Sequence, residues 1–419
     1  MDFAHESGLR VFFVQLAIVV TAARCCGWIA LRLEQPRVVG EILGGLALGP
    51  SLFGLLAPDA FSSLFGTTNA EPLKFVSQIG LVLFMFQTGM EFDFAHLKER
   101  SNRGAVLGVA VGSVLLPLLL GYGLAQLLYP VFCSDSGIER SHFCAFVAVA
   151  LAITALPILG RIMASLEISR TRMGSVTISA AAFNDIIGWV LLAAISTAAA
   201  KQFSPERLVL QVVSIAVFAV VMWTAVRPLV RRFAARVADT DGLSLDYAAG
   251  AIVLVLLAGA ITSSLGIFAA FGGFAVGVLL SDSAGFSKAW SARMEPFIAV
   301  FLLPVFFTCT GLRTDSGQLD SLEQWLWCGL VVIVATVSKW FGAYWGAIAF
   351  GVPRSEALCI AVMMNTRALM ELVVLNVGYE LGVLPRPVFT IMVIMAVVTT
   401  LVTTPLLKRL LPHVRPAAP

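Results

Sequence analysis

The chain has 419 residues, of which 59% are hydrophobic and 13% charged, with a net charge of +3 and a mean hydropathy of +0.92. So few charges cannot keep that much apolar surface in water, which excludes a soluble globule, and the small net charge gives no footprint for nucleic acid. The composition predicts an all-α integral membrane protein.

About thirteen spans follow in chain order, each near the ~20 residues a helix needs to cross a bilayer. They lie at roughly 10–32, 37–57, 74–91, 104–129, 142–164, 172–199, 207–230, 245–264, 266–281, 295–312, 323–350, 355–379 and 387–411. A short hinge at Gly266 separates the eighth from the ninth. The first run passes into a loop without a small-residue cleavage site, so no cleavable signal is read there. Cys25, Cys26, Cys144, Cys309, Cys328 and Cys359 sit in or beside apolar runs, Cys133 lies in a loop, and no CxxC occurs. They read as packing residues, with no disulfide framework, metal site or cofactor implied.

Alternate loops differ in charge. One set, with the C-terminus, holds eighteen basic residues, including Lys98, Arg100, Arg170, Arg231, Arg236, Arg354, Lys408, Arg409 and Arg415. The other, with the N-terminus, holds seven, including Arg10, Lys74, Lys201, Arg207 and Arg313. The positive-inside bias places the N-terminus outside and the C-terminus in the cytoplasm, which an odd number of spans matches.

The two halves share short motifs in the same order, always seven spans apart. GGLALG (44–49) answers GGFAVG (272–277), TGMEFD (88–93) answers TGLRTD (310–315), and Thr154 of AITALP answers Thr366 of MNTRAL. An odd offset turns the second copy upside down, so the chain divides into repeat one (about 10–199), a linker helix (about 207–230) and repeat two (about 245–411). Inverted repeats of this kind mark secondary transporters with a site near the midplane.

Polar residues deep in the spans are the candidates for that site. Asn184 and Asp185 stand halfway along the sixth, in AAAFNDIIGWVLL. A charge at a helix centre costs roughly 2.5–3.5 kcal/mol on insertion scales, so it needs a reason. A carboxylate withdrawn from water can hold a proton or a dehydrated monovalent cation, but not both; the structural alternative is a protonated acid that bonds a neighbouring helix. In the fifth span Pro157 cannot donate to the carbonyl of Ile153, which opens the helix beside Thr154 and frees hard oxygen ligands, unless it is an ordinary kink. The twelfth carries Asn365, Thr366, Arg367 and Glu371, where Arg367 either neutralises the carbonyl ends of broken helices or pairs with Glu371 one turn on. Lys339, mid-way through the eleventh, pairs with a carboxylate or itself takes up a proton. Glu41 reads as a solvated group near the cytoplasmic interface.

Together QPRVVGEILGGLALGPS, FLLPVFFTCTGLRTD, ITALPILGRIMASLEI, FNDIIGWVLLA and MNTRALMELVVLNVGYELGVL resemble the monovalent cation:proton antiporter superfamily. The branch is that of the plant cation/H⁺ exchangers, the fungal K⁺/H⁺ exchanger and the Kef-type bacterial systems, and the resemblance covers about residues 10–411. It implies a thirteen-helix, inverted-repeat homodimer with a core domain and a dimer domain, two mid-membrane broken helices (the fifth and twelfth) and an elevator-like transport step. By that likeness Asp185 is the ion- and proton-binding carboxylate, Asn184 its partner, Thr154 an unwound-helix ligand and Lys339 the basic residue of the eleventh helix. Electrogenic relatives carry two aspartates where this chain has Asn184–Asp185, which implies electroneutral exchange of one cation for one proton. Yet Lys339, which pairs with the first aspartate in those relatives, persists here without it. The sequence ends at Pro419, so no C-terminal nucleotide-binding domain is expected.

The expected function is a K⁺ or Na⁺/H⁺ antiporter for pH and cation homeostasis, in a bacterial inner membrane. The competing expectations are an exporter of an organic cation or ionophore-type metabolite on the same scaffold, and a channel-like or sensor protein. An enzyme is not expected, because no HExxH occurs and no second mid-span aspartate accompanies Asp185.

Overall fold

The computed structural model describes residues 2–66, 69–90, 103–134, 137–169, 171–198, 213–214, 216–238, 243–265, 268–367 and 369–414. Described residues form helices and turns throughout, in chain order α1 (Asp2–Arg32), α2 (Arg37–Ala47), α3 (Pro58–Phe65), α4 (Glu71–Met90), α5 (Arg103–Phe132), α6 (Arg140–Ala152), α7 (Leu156–Ser165) and α8 (Arg172–Ala198). Then come α9 (Arg227–Ala238), α10 (Leu245–Ser264), α11 (Ala269–Leu280), α12 (Ala284–Phe297), α13 (Leu303–Arg313), α14 (Leu322–Ile348), α15 (Arg354–Met364), α16 (Leu369–Glu380) and α17 (Arg386–Leu410). Among the described residues eight helices are long and apolar enough to cross a membrane, and Arg140–Ala152 and Ala269–Leu280 are shorter apolar helices. The chain is an integral membrane protein. The hinge at Gly266, the start of the linker span (207–212, with 215), and Lys98, Arg100, Arg170, Lys201, Arg207 and Arg415 lie outside the described residues.

Two expected spans are each split in two. The fifth is α6 and α7, separated by Ile153–Ala155, and the twelfth is α15 and α16, separated by residues 365–368. Two helices were not expected from hydropathy: α3, and α12, whose Ser287, Lys288, Arg293 and Glu295 are interspersed with apolar residues.

The chain forms two compact units. One holds Met1–Cys25, Gly44–Phe94 and Lys201–Leu312. Within it the paired motifs meet crosswise: Gly45 and Gly49 lie against Phe307 and Gly311 of α13, while Gly273 and Gly277 of α11 lie against Val82 and Phe86 of α4. Each glycine motif therefore packs on the other half's TG motif helix. Arg227 and Arg231 both bond Asp282.

The second unit holds Cys26–Leu43, Ala95–Ala200 and Arg313–Pro419. Its tightest pairing is α5 with α14. Gly104, Gly108 and Gly112 recur every four residues on α5, a small-residue seam that lets two helix backbones touch. A Cβ at Gly112 would overlap the carbonyl oxygen of Gly342, and the converse holds for Gly342. Glu41, expected to be solvated, is only 3% exposed. It is buried because Gly27 and Gly40 let the start of α2 settle closely on α1.

Candidate functional site

The site is built where the two interrupted helices cross. Helix α6 stops at Ala152, the backbone runs extended through Ile153 and Ala155, and α7 starts at Leu156 with Pro157 in its first turn. The expectation that Pro157 opens a continuous helix at Ile153 is therefore replaced by a proline that begins a new one, where its missing N–H costs nothing. The counterpart break starts at Asn365, after α15. The two breaks hydrogen-bond each other: Ala155 N donates to Thr366 O at 2.9 Å, and Thr154 Oγ1 donates to Met364 O at 3.3 Å.

A helix that ends inside the protein leaves its last carbonyls without intrahelical donors and carries a partial negative charge there. In α6 two buried cations meet that need. Arg367 donates to Ala150 O (3.2 Å) and Leu151 O (2.7 Å), and Lys339 donates to Ala152 O. Arg367 also reaches Ala335 O (3.3 Å) and pairs with Glu371 Oε2 (3.1 Å), both side chains of the pair being fully buried. Both roles weighed for Arg367 from sequence, carbonyl neutraliser and ion-pair partner, are thus filled at once.

Lys339 has a second bond, to Ser113 O at 3.0 Å on α5. The glycine seam explains this reach, because Ser113 follows Gly112 and Lys339 precedes Gly342 by less than a turn. Its hydrogen bonds are to two backbone carbonyls rather than to a carboxylate.

Helix α8 packs against α5, α6, α7 and α15 and brings Asn184 and Asp185 into this cluster. Gly188, one turn beyond Asn184, admits the extended segment, since a Cβ there would come within 2.8 Å of Ile153. The Asn184 amide donates to Ser113 Oγ (2.8 Å) and Thr154 Oγ1 (3.3 Å). Turned by 180°, it donates to Ala110 O (3.1 Å) and Ala180 O (3.3 Å) and accepts from Ser113 Oγ (2.8 Å), which satisfies both ends of the amide. Either way Ser113 holds it.

Asp185 differs from all of these. It is 1% exposed, and neither carboxylate oxygen has a hydrogen-bond partner. Asn365 Oδ1 and Thr366 Oγ1, on the second break, are also buried without a partner. An ionised carboxylate offers about four lone-pair positions, so Asp185 has full capacity for a proton or a hard cation. The structure thus gathers Asp185, Asn184, Thr154, Lys339, Arg367, Glu371, Asn365 and Thr366 into one unit. Ser113 was missed from sequence; its signal was its place at the end of the Gly104–Gly112 stripe.

Comparison with known proteins places the chain in a family. Residues 19–412 match the family described as sodium/hydrogen exchanger, transmembrane. The Na⁺/H⁺ antiporter NhaS4 of Synechocystis sp. is 34% identical over 404 residues, covering 96% of this chain and 98% of that protein. Cation/H⁺ antiporter 18 of Arabidopsis thaliana is 33% identical over 97% of this chain and 49% of its own length. K⁺/H⁺ antiporter 1 of Saccharomyces cerevisiae is 28% identical, over 98% and 47%. This chain thus spans about half the length of the plant and yeast relatives. The structure of the sodium proton antiporter MjNhaP1 from Methanocaldococcus jannaschii shares the fold, with a TM-score of 0.66 over 96% of both chains at 17% identity. The chain belongs to the transmembrane sodium/hydrogen exchanger family, whose members are transporters and not enzymes.

Proposed function

We propose that this protein exchanges a monovalent cation, K⁺ or Na⁺, for a proton, with Asp185 as the carboxylate that both ligands share. The observation that carries this reading is the contrast inside the buried cluster. Lys339 and Arg367 are held by backbone carbonyls, among them those at the end of α6, and Asn184 by Ser113, while Asp185 keeps both oxygens unbonded. Thr154 and Asn184 stand beside it as neutral oxygen-bearing groups.

The charge balance favours electroneutral exchange. Lys339 and Arg367 carry two positive charges, Glu371 and an ionised Asp185 two negative ones. A proton or a monovalent cation adds the same single charge, so one replaces the other without net charge movement. The second aspartate that position 184 would supply is replaced by the amide of Asn184, which does not ionise. The full burial of Thr154, Asn184 and Lys339 favours a small inorganic ion over the organic cation.

Every residue of the site belongs to one compact unit, which supports transport by movement of that unit as a body in an elevator-type step. The crosswise pairing of the glycine and TG motifs supports the inverted repeat, and with it about thirteen spans. We carry forward a homodimer in a bacterial inner membrane with the N-terminus outside, on the family likeness and the loop-charge bias. In proteoliposomes with a preset pH gradient, adding K⁺ or Na⁺ dissipates the gradient; a gradient that survives both ions overturns the proposal.

A further inference from the structure

Away from the ion site, on the outer surface of the same unit, α14, α15 and α17 enclose a slot of about 460 Å³. Its walls are aromatic on α14 (Phe341, Tyr344, Trp345) and aliphatic on α15 and α17 (Leu358, Leu406, Leu410). The volume falls in the range of a specific small-molecule site, ~300–1,000 Å³. It opens on the exposed stripe of α14, where Ile333, Val337, Phe341 and Trp345 follow one another on one face. In an integral membrane protein such a stripe meets lipid.

Within one helical turn of the slot's lining residues stand two arginines. Arg354 precedes Leu358 by four residues, which places the two on the same face of α15, and Arg409 is three residues beyond Leu406 on α17. Both arginines are exposed, and among the described residues neither guanidinium has a hydrogen-bond or ion-pair partner. Neighbouring Lys408 is different, because Glu34 holds it at 2.5 Å. α14 ends at Ile348 and α15 begins at Arg354, so the aromatic residues of α14 and the two arginines stand at the same end of the bundle. Tyr and Trp favour the membrane–water boundary, and a guanidinium binds phosphate through two parallel N–H groups.

We propose that this slot binds one anionic glycerophospholipid, with an acyl chain between α14, α15 and α17 and the headgroup phosphate on Arg354 and Arg409. The charge pattern selects the occupant. Two like charges side by side would face the same two charges of a second copy across a symmetric contact, and a zwitterionic lipid would bring an ammonium of its own beside them, whereas an anionic lipid adds a net negative charge.

The test is native mass spectrometry of the full chain, purified and exchanged into equal amounts of phosphatidylglycerol and phosphatidylethanolamine. The wild-type chain retains one phosphatidylglycerol with at least a ten-fold preference. Arg354→Gln with Arg409→Gln removes the preference while some lipid of either kind stays. Leu358→Trp, at an exposed wall position that folding tolerates, removes retention of both, with helical content and melting temperature as the check on folding. Equal retention of the two lipids by the wild-type chain overturns the proposal, as does a preference that survives the double substitution. Competition by free glycerol phosphate as strong as by the whole lipid would reduce the site to an anion site. An assembly that Leu358→Trp splits, with no lipid lost, would assign the face to a second copy of the chain.

Discussion

Lys339 shows most directly what a buried charge does here. An ammonium in the middle of a span invites a search for a carboxylate partner, and the sequence suggests none. The structure answers with backbone: Ser113 O and Ala152 O take its protons. Replacement by methionine keeps the stem and leaves both carbonyls without that donor, at a cost of ~1–3 kcal/mol for each buried group left unsatisfied. Lys339→Met is therefore expected to lower the melting temperature in detergent by several degrees, whereas Lys339→Arg, which can still donate to two carbonyls, recovers part of the loss. A melting temperature unchanged in Lys339→Met would mean that the α6 end needs no cation. Arg367 makes a parallel case with a harsher penalty, since its loss would leave Glu371 buried and uncompensated, an effect of ~3–5 kcal/mol. Asp185, Asn184 and Thr154 were legible from sequence because a polar group in an apolar run is costly and so conspicuous. Ser113 was not, because serine is cheap in a helix and nothing in its neighbourhood marked it except glycine spacing.

At the scale of elements, the two breaks and the glycine seam set the geometry. The breaks were readable in part: Pro157 and the family resemblance pointed to the fifth and twelfth spans, but the exact end of α6 at Ala152 goes with the carbonyls that Arg367 and Lys339 reach. Those donors lie roughly 180 or more residues away in sequence, so no local pattern reveals them. The buried Glu41 was misjudged for a similar reason, since its burial comes from the approach of two helices through Gly27 and Gly40. The seam between α5 and α14 yields its own prediction. Gly112→Leu forces the backbones apart at the level of Ser113 and Lys339, so it should cost at least the 1–3 kcal/mol typical of overpacking. Because the shift also moves Ser113, cation-driven proton flux should fall by ten-fold or more even where the protein still folds. Gly123→Leu, on the same helix but with open space around it, is the control and should leave both unchanged.

For the whole molecule, composition alone was enough to place the chain in a membrane, and short motifs were enough to place it in its family. The number of separate helices was less accessible, because hydropathy merges α6 with α7 and α15 with α16 and passes over the mixed helix α12. The charge balance of the cluster leads to a prediction at this scale. With one carboxylate exchanging one proton for one cation, the rate of exchange is independent of membrane potential. Clamping the potential with valinomycin and fixed K⁺, while Na⁺ drives proton flux, should leave the rate within about two-fold between 0 and 100 mV of either sign. A net charge moved per cycle would be worth about 2.3 kcal/mol per 100 mV and would shift the driving force accordingly. For a K⁺-specific protein the same measurement is made with K⁺ as the driving ion and a proton ionophore-free lipophilic ion as the clamp.

The central claim is that Asp185 is the group on which cation and proton replace each other, and cation-coupled proton flux through Asp185→Asn in proteoliposomes tests it most directly. Asparagine keeps the size of the side chain and removes its capacity to ionise, so the variant should fold with the wild-type melting temperature or a higher one. Its K⁺- or Na⁺-driven proton flux should fall to that of empty vesicles at every pH. A folded Asp185→Asn protein that exchanges at the wild-type rate would contradict the account.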